Sequence, residues 1–194
     1  GTGEFLNVCR LNGWSATGIE PSPAARAFAI SNYKLNVLDE KDIAGMKDGM
    51  FDIITLWHVL EHVHEIDRRM QEILRLLAPG GKAIIAVPNH KSYDALKYGE
   101  YWAGYDLPRH LYHFSPETIS LLFEKHGFTS GNRFPMFFDS FYVSLLSEKH
   151  IARKQNSFPN LFRAFCPCLI SNRQGSKDIS EYSSIIYIAG KRSQ

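Results

Sequence analysis

The sequence predicts an α/β domain with three layers, helices on both faces of a mostly parallel sheet. Three observations lead there. Short apolar runs of strand length alternate with stretches whose apolar residues recur three and four apart. Gly and Pro clusters punctuate the alternation. Helices between strands imply crossover units, which join parallel strands. With 194 residues, 44% hydrophobic and 22% charged, the chain has the length and composition of one soluble domain.

Each element has its own signal. A helical pattern over 4–11 follows Gly1-Thr2-Gly3 and stops at Asn12-Gly13. Residues 15–19 suit a short strand closing on Glu20, and Pro21-Ser22-Pro23 opens a helix to about 30. A strand is expected near 34–38. The apolar run 51–56 reads as a strand buried on both faces. Met70, Ile73, Leu74 and Leu77 mark a helix over 67–77, and Pro79-Gly80-Gly81 turns into a buried strand over 82–87. Ser115-Pro116 starts a helix to about 126. A strand over 128–134, a helix over 141–150 and a final strand over 185–189 complete the pattern, the last antiparallel to the sheet. Residues 93–114 form an aromatic-rich, lid-like segment. Residues 151–181 fit no regular repeat and read as an excursion holding a short amphipathic helix with Phe158, Leu161, Phe162 and Phe165 on one side.

Composition narrows the partners. A net charge of +2 gives no footprint for nucleic acid. No window approaches the ~18 apolar residues of a membrane span, and no secretory leader is visible. Cys9, Cys166 and Cys168 lack the spacing of common redox or zinc pairs, so a cytoplasmic protein is expected.

Residues 51–63 carry the most chemistry. His58-x-x-Glu61-His62 has the spacing of an inverted zinc-hydrolase helix, with Glu61 as general base. That reading needs a helix and a third ligand, whereas the preceding strand puts His58 at a strand end, where α/β folds bind ligands. No metal is expected on this balance. Upstream, glycines at Gly1 and Gly3 allow close backbone approach at a helix start. Glu20, ending a strand, can accept the two hydroxyls of a ribose. Asp39, after the next strand, can accept an exocyclic amine. An ordinary turn and two exposed acids are the plainer accounts of the same residues.

Together, Gly1-Thr2-Gly3-Glu4, Glu20, Phe51-Asp52, the run from Leu56 to Val63 and Leu77-Ala78-Pro79-Gly80-Gly81 resemble the class I S-adenosylmethionine-dependent methyltransferases, a Rossmann-like family. Trp102 and the run from Asp106 to Ser115 bring the resemblance closer to the ubiquinone-biosynthesis-like small-molecule O-methyltransferases. The resemblance implies S-adenosylmethionine as cofactor and S-adenosylhomocysteine as product. It places Gly1 and Gly3 beside the methionine part, Glu20 at the ribose, Asp39 near adenine, and Trp57 and His58 in the cleft wall. Such proteins usually begin with an apolar strand and Asp-x-Gly-x-Gly-x-Gly, of which only the last Gly-Thr-Gly stands here. The first strand is therefore expected to lie upstream, making 1–194 an N-terminally truncated single domain whose cofactor binding is impaired.

The resemblance further implies methyl transfer to a small molecule, at oxygen, by in-line displacement. Tyr98, Trp102, Tyr105, Arg109 and Tyr112 are the candidate acceptor-binding residues, aromatic faces suiting a lipophilic or planar acceptor beside a cationic sulfonium. His110 and then His113 are the candidate bases for the acceptor's proton. Basic and aromatic residues within 151–181 fit a lid or a peripheral membrane contact. A methyltransferase-like scaffold without turnover is the non-enzymatic alternative. A nicotinamide-dependent oxidoreductase would need a Gly-x-Gly-x-x-Gly that is not in this sequence.

Overall fold

Helix and strand signals materialise in the predicted order in the computed structural model, which describes residues 1–154 and 161–191, with backbone alone for 161–166. Two compact units are present, Gly1–Lys47 and the chain from Asp48 onward.

The first unit contains α1 (Glu4–Leu11), β1 (Thr17–Ile19), α2 (Pro23–Tyr33) and β2 (Asn36–Leu38). The Ser22 hydroxyl caps α2 and Pro23 occupies its first turn, where a missing N–H costs nothing. Strands β1 and β2 pair in parallel, Ile19 opposite Leu38. Ala29, Leu35 and Val37 form a small core with Leu6 and Tyr33 against it. Gly3 precedes α1 at φ 92°, and a Cβ there would stand 2.8 Å from both Ala29 Cβ and Leu35 Cδ1. Close packing and a left-handed backbone both require glycine.

The second unit holds β3 (Phe51–Trp57), α3 (Ile66–Leu76), β4 (Leu77–Pro88), α4 (Tyr93–Tyr98), α5 (Pro116–Lys125), β5 (Phe128–Pro135), α6 (Asp139–Lys154), α7 (Leu161–Gly175) and β6 (Ser184–Lys191). Its sheet runs β3-β4-β6-β5. Alternate residues Ala83, Ile85 and Val87 of β4, with Ile185, Tyr187 and Ala189 of β6, meet Met70 and Ile73 of α3 and Ile119 and Phe123 of α5 in the main core. Strand β4 starts earlier than expected because Leu77 pairs with Phe51. The register then shifts, and Pro79-Gly80-Gly81 is taken up before Ile53 pairs with Lys82. A Cβ on Gly81 would lie 2.9–3.1 Å from three backbone oxygens, Ala78, Asp52 and Phe51.

The expectation of a mostly parallel sheet is overturned. Only β3–β4 is parallel in the larger sheet; β4–β6 and β5–β6 are antiparallel. Strand alternation marks crossovers but not the order in which the last strands enter. Here β6 inserts between β4 and β5 and opposes both. The other parallel pair, β1–β2, belongs to a separate two-stranded sheet. The expectation that β3 is buried on both faces is not met: Asp52, Ile53 and Trp57 are exposed and Leu56 alone is buried.

Segment 93–114 is α4 followed by short 3-10 turns, tied down where Asn89 bridges Phe114. The 151–181 region is more helical than predicted. Helix α6 runs to Lys154 and α7, interrupted in sequence by Pro167, is 15 residues long. Phe158 lies outside the described residues, as do the side chains of Leu161, Phe162 and Phe165. No helix among the described residues is long and apolar enough to cross a membrane.

Candidate functional site

In the first unit, Glu20 and Asp39 directly follow the carboxyl ends of β1 and β2, and the Glu20 N–H donates to the Leu38 carbonyl (3.1 Å). Parallel pairing of Ile19 with Leu38 thus sets two carboxylates side by side. The Arg26 guanidinium pairs with Asp39 (2.9 Å) and donates to the Glu20 backbone carbonyl. Glu20 accepts from the Ser22 N–H (2.8 Å). Burial pushes the Glu20 pKa up, while the Ser22 N–H and the Arg26 charge pull it down. The Asp39 pKa is lowered, chiefly by the Lys41 N–H, with the Arg26 charge adding to the effect. Both acids are held as acceptors. This pair of acceptors fits a nucleoside, whose ribose diol and exocyclic amine are donors.

In the second unit, Trp57 ends β3 and His58 turns the chain at φ 51°, a left-handed backbone that costs a non-glycine residue about 1–3 kcal/mol. The His58 N–H bonds the Ala86 carbonyl (3.0 Å), continuing the β3–β4 ladder through the turn. Its Nδ1 lies 3.2 Å from Glu61 Oε1 and its Nε2 is 4.0 Å from Asp139 Oδ1. Burial opposes a charge on His58, yet the hydrogen bond to Glu61 and the two carboxylates raise its pKa. Burial raises that of Asp139 against the pull of His58 and of Ser184, whose hydroxyl donates to it. Both groups favour holding a proton.

The zinc-hydrolase reading fails on local geometry. It required His58 and His62 on one helix, but His58 closes a strand and residues 60–62 form a 3-10 turn.

The lid-like segment divides its candidates. Tyr98 (6% exposed) and Trp102 (2%) are packed in a core with Ala95 and Val143, and Trp102 Nε1 donates to the buried Asp94 carboxylate (2.9 Å). Burial raises the Tyr98 pKa. Protein covers both rings, so neither presents an open face to an acceptor. Tyr105 stands edge-on to Trp102 and to His113, each at 5.1 Å. Tyr112 stacks on Phe114 and donates to the His64 carbonyl (3.2 Å). Arg109 is exposed and paired with Asp106 (2.6 Å). His110 Nδ1 is 2.9 Å from the Gly104 carbonyl, and His113 Nε2 is 3.1 Å from that of Tyr105. Burial lowers the His110 pKa, despite the opposing Gly104 bond, and favours the neutral ring.

Sequence reasoning passed over Arg26, Asp139 and Ser184. Arg26 was findable as a cation in the first turns of the helix after Glu20. Asp139 carried no signal, since it meets His58 only through tertiary packing.

Parallel strands ending in paired acids, followed by a strand that ends in a polar turn, define a nucleotide-type α/β protein. Residues 1–130 match the family described as a methyltransferase domain, and the chain belongs to that family. Among curated proteins it is similar to norajmaline N-methyltransferase of Rauvolfia serpentina, 29% identical over 98 residues, 46% of this chain and 34% of that protein. The matched part thus spans about a third of the curated relative. Among solved structures, the (4+2)-cyclase SpnF aligns with a TM-score of 0.66 at 21% identity, covering 100% of this chain and 72% of that one. A SAM-dependent methyltransferase from Archaeoglobus fulgidus gives 0.61 at 16%, covering 98% and 82%. Haemonchus contortus phosphoethanolamine N-methyltransferase 2, complexed with S-adenosylhomocysteine, gives 0.62 at 16%, covering 100% and 48%. Identities this low establish the shared Rossmann-like fold. A cyclase among them shows that the fold alone does not fix the reaction.

Proposed function

We propose that the protein binds S-adenosylmethionine and transfers its methyl group to a small-molecule acceptor. The observation that carries this reading is the placement of Glu20 and Asp39 directly after Ile19 and Leu38, the paired ends of two parallel strands, within a methyltransferase-family chain. Glu20 takes the ribose hydroxyls, Asp39 the adenine amine, and the backbone at Gly1 and Gly3 the amino-acid end. In the second unit, Trp57 and His58, at the end of β3, are the further cofactor-binding candidates.

Bound, the cofactor supplies an electrophilic methyl carbon, and its sulfur keeps the bonding pair as the acceptor's lone pair forms the new bond. The chain's task is alignment and exclusion of water. Tyr105, Arg109 and Tyr112 are the lid residues suited to touching an acceptor, since Tyr98 and Trp102 are enclosed. Where the acceptor enters protonated, His110 and His113 each keep one ring nitrogen outside their backbone hydrogen bond and able to take that proton. Two acceptor atoms have support. Resemblance of Trp102 and the Asp106–Ser115 run to ubiquinone-type enzymes favours oxygen, while the names of the norajmaline and phosphoethanolamine enzymes favour nitrogen.

Calorimetric titration of S-adenosylhomocysteine into the full-length protein and its Glu20→Ala variant tests the reading. Loss of the carboxylate should weaken binding roughly 10- to 100-fold, the worth of a charged hydrogen-bond pair. No binding by a protein shown to be folded by circular dichroism would overturn it. Methyl transfer to O- and N-nucleophile panels, read by mass spectrometry, then separates the two acceptor atoms.

A further inference from the structure

Glu61, His62 and His110 bring one ligand atom each to within 4.8 Å of the others, although His110 lies far along the chain. Glu61 is fully buried; Oε1 faces His58, while Oε2 has no hydrogen-bond partner among the described residues. A buried carboxylate oxygen without a donor is costly and calls for a cation or a donor at that point. Both histidines are oriented as metal ligands usually are. His62 Nδ1 is 3.0 Å from the Arg109 carbonyl and His110 Nδ1 is 2.9 Å from the Gly104 carbonyl. A ring N–H donated to a carbonyl fixes the tautomer and leaves Nε2 with the lone pair.

We propose that Glu61, His62 and His110 form a binding site for a divalent transition-metal ion of the zinc class. Two imidazoles and one carboxylate suit such an ion and suit magnesium poorly. Three protein ligands leave a coordination position open, and His62, which is exposed, lies on the solvent side of the site. Ligand atoms around a tetrahedral ion stand about 3.4 Å apart, as bonds of about 2.0–2.1 Å require, so the site closes slightly on loading. His110 belongs to the loop whose Leu111 N–H already donates to the Glu61 carbonyl (2.8 Å). The ion therefore pins that loop to the turn after β3. With the ion bound, the lone pair of His110 is engaged and His113 remains as proton acceptor.

This site does not depend on methyl transfer, and it is tested without cofactor. The metal-free protein is titrated with Co2+ and visible ligand-field absorption is recorded, alongside His62→Ala, His110→Ala, Glu61→Gln and a His64→Ala control. Wild type and the control should bind one Co2+ per chain, displaced by Zn2+ and not by equimolar Mg2+. Each ligand variant should bind about 100-fold more weakly or worse, beyond the usual effect of an outer-shell change. Zn2+ should raise the melting temperature of wild type and not of His62→Ala, whose exposed side chain can be lost without harm to folding. Absence of stoichiometric Co2+ binding by folded wild type, or equal affinity in wild type and His62→Ala, would overturn the proposal.

Discussion

Arg26 lies 2.9 Å from the Asp39 carboxylate and also donates to the Glu20 carbonyl, so one guanidinium joins the ends of both strands of the small sheet. The first prediction concerns this cation. Arg26→Met should weaken S-adenosylhomocysteine binding about 3- to 10-fold, less than Glu20→Ala, because the Arg26–Asp39 pair is partly exposed and its geometry is only shared with backbone. Calorimetry on both variants checks the order, and a larger loss in Arg26→Met would contradict the assigned roles.

Gly3→Ala should destabilise the first unit. The added methyl meets Ala29 and Leu35 at 2.8 Å on a backbone of φ 92°. A cost of about 1–3 kcal/mol is expected from the left-handed conformation and overpacking together. Native-state hydrogen exchange should show faster exchange in α1 and β2, with amides of β4 and β6 unchanged.

Asp94 is buried and accepts from Trp102 Nε1 (2.9 Å), from Ser171 (3.1 Å) and from Ser183 (2.6 Å). Asp94→Ala leaves three donors unpaired and should cost about 3–5 kcal/mol. Urea denaturation measures it. A loss below about 1 kcal/mol would mean that the hydroxyls find other acceptors.

Asp67 on α3 contacts Lys125 (2.7 Å) and His126 (2.8 Å) at the C-terminal end of α5, and these hydrogen bonds hold its pKa below the usual carboxylate range. A depressed folded pKa gives stability that is present above the unfolded value, about 3.9, and is lost as pH falls through the folded one. Melting temperature against pH should therefore fall less steeply on the acid side in Asp67→Asn than in wild type. Identical acid limbs would count against the contact.

Local chemistry made much of this molecule legible. Asn12-Gly13 ends α1, Ser115-Pro116 opens α5, and the spacing of Met70, Ile73 and Leu74 fixes α3, since caps and helical period act over a few residues. Helix α7 was missed as a long element because Pro167 interrupts its signal, and neighbouring helices, not local propensity, hold it.

By itself the sequence determined the kind of elements, their order, the acids after β1 and β2, and the strand ending at His58. These follow from hydrophobic period, turn residues and composition, which each short segment carries alone. Tertiary structure decided the pairings. It placed β6 against both β4 and β5, set Asp139 opposite His58, and brought His110 to Glu61 and His62. Such contacts join residues tens of positions apart. Their selection depends on how whole elements bury their apolar faces, a quantity that no local window contains.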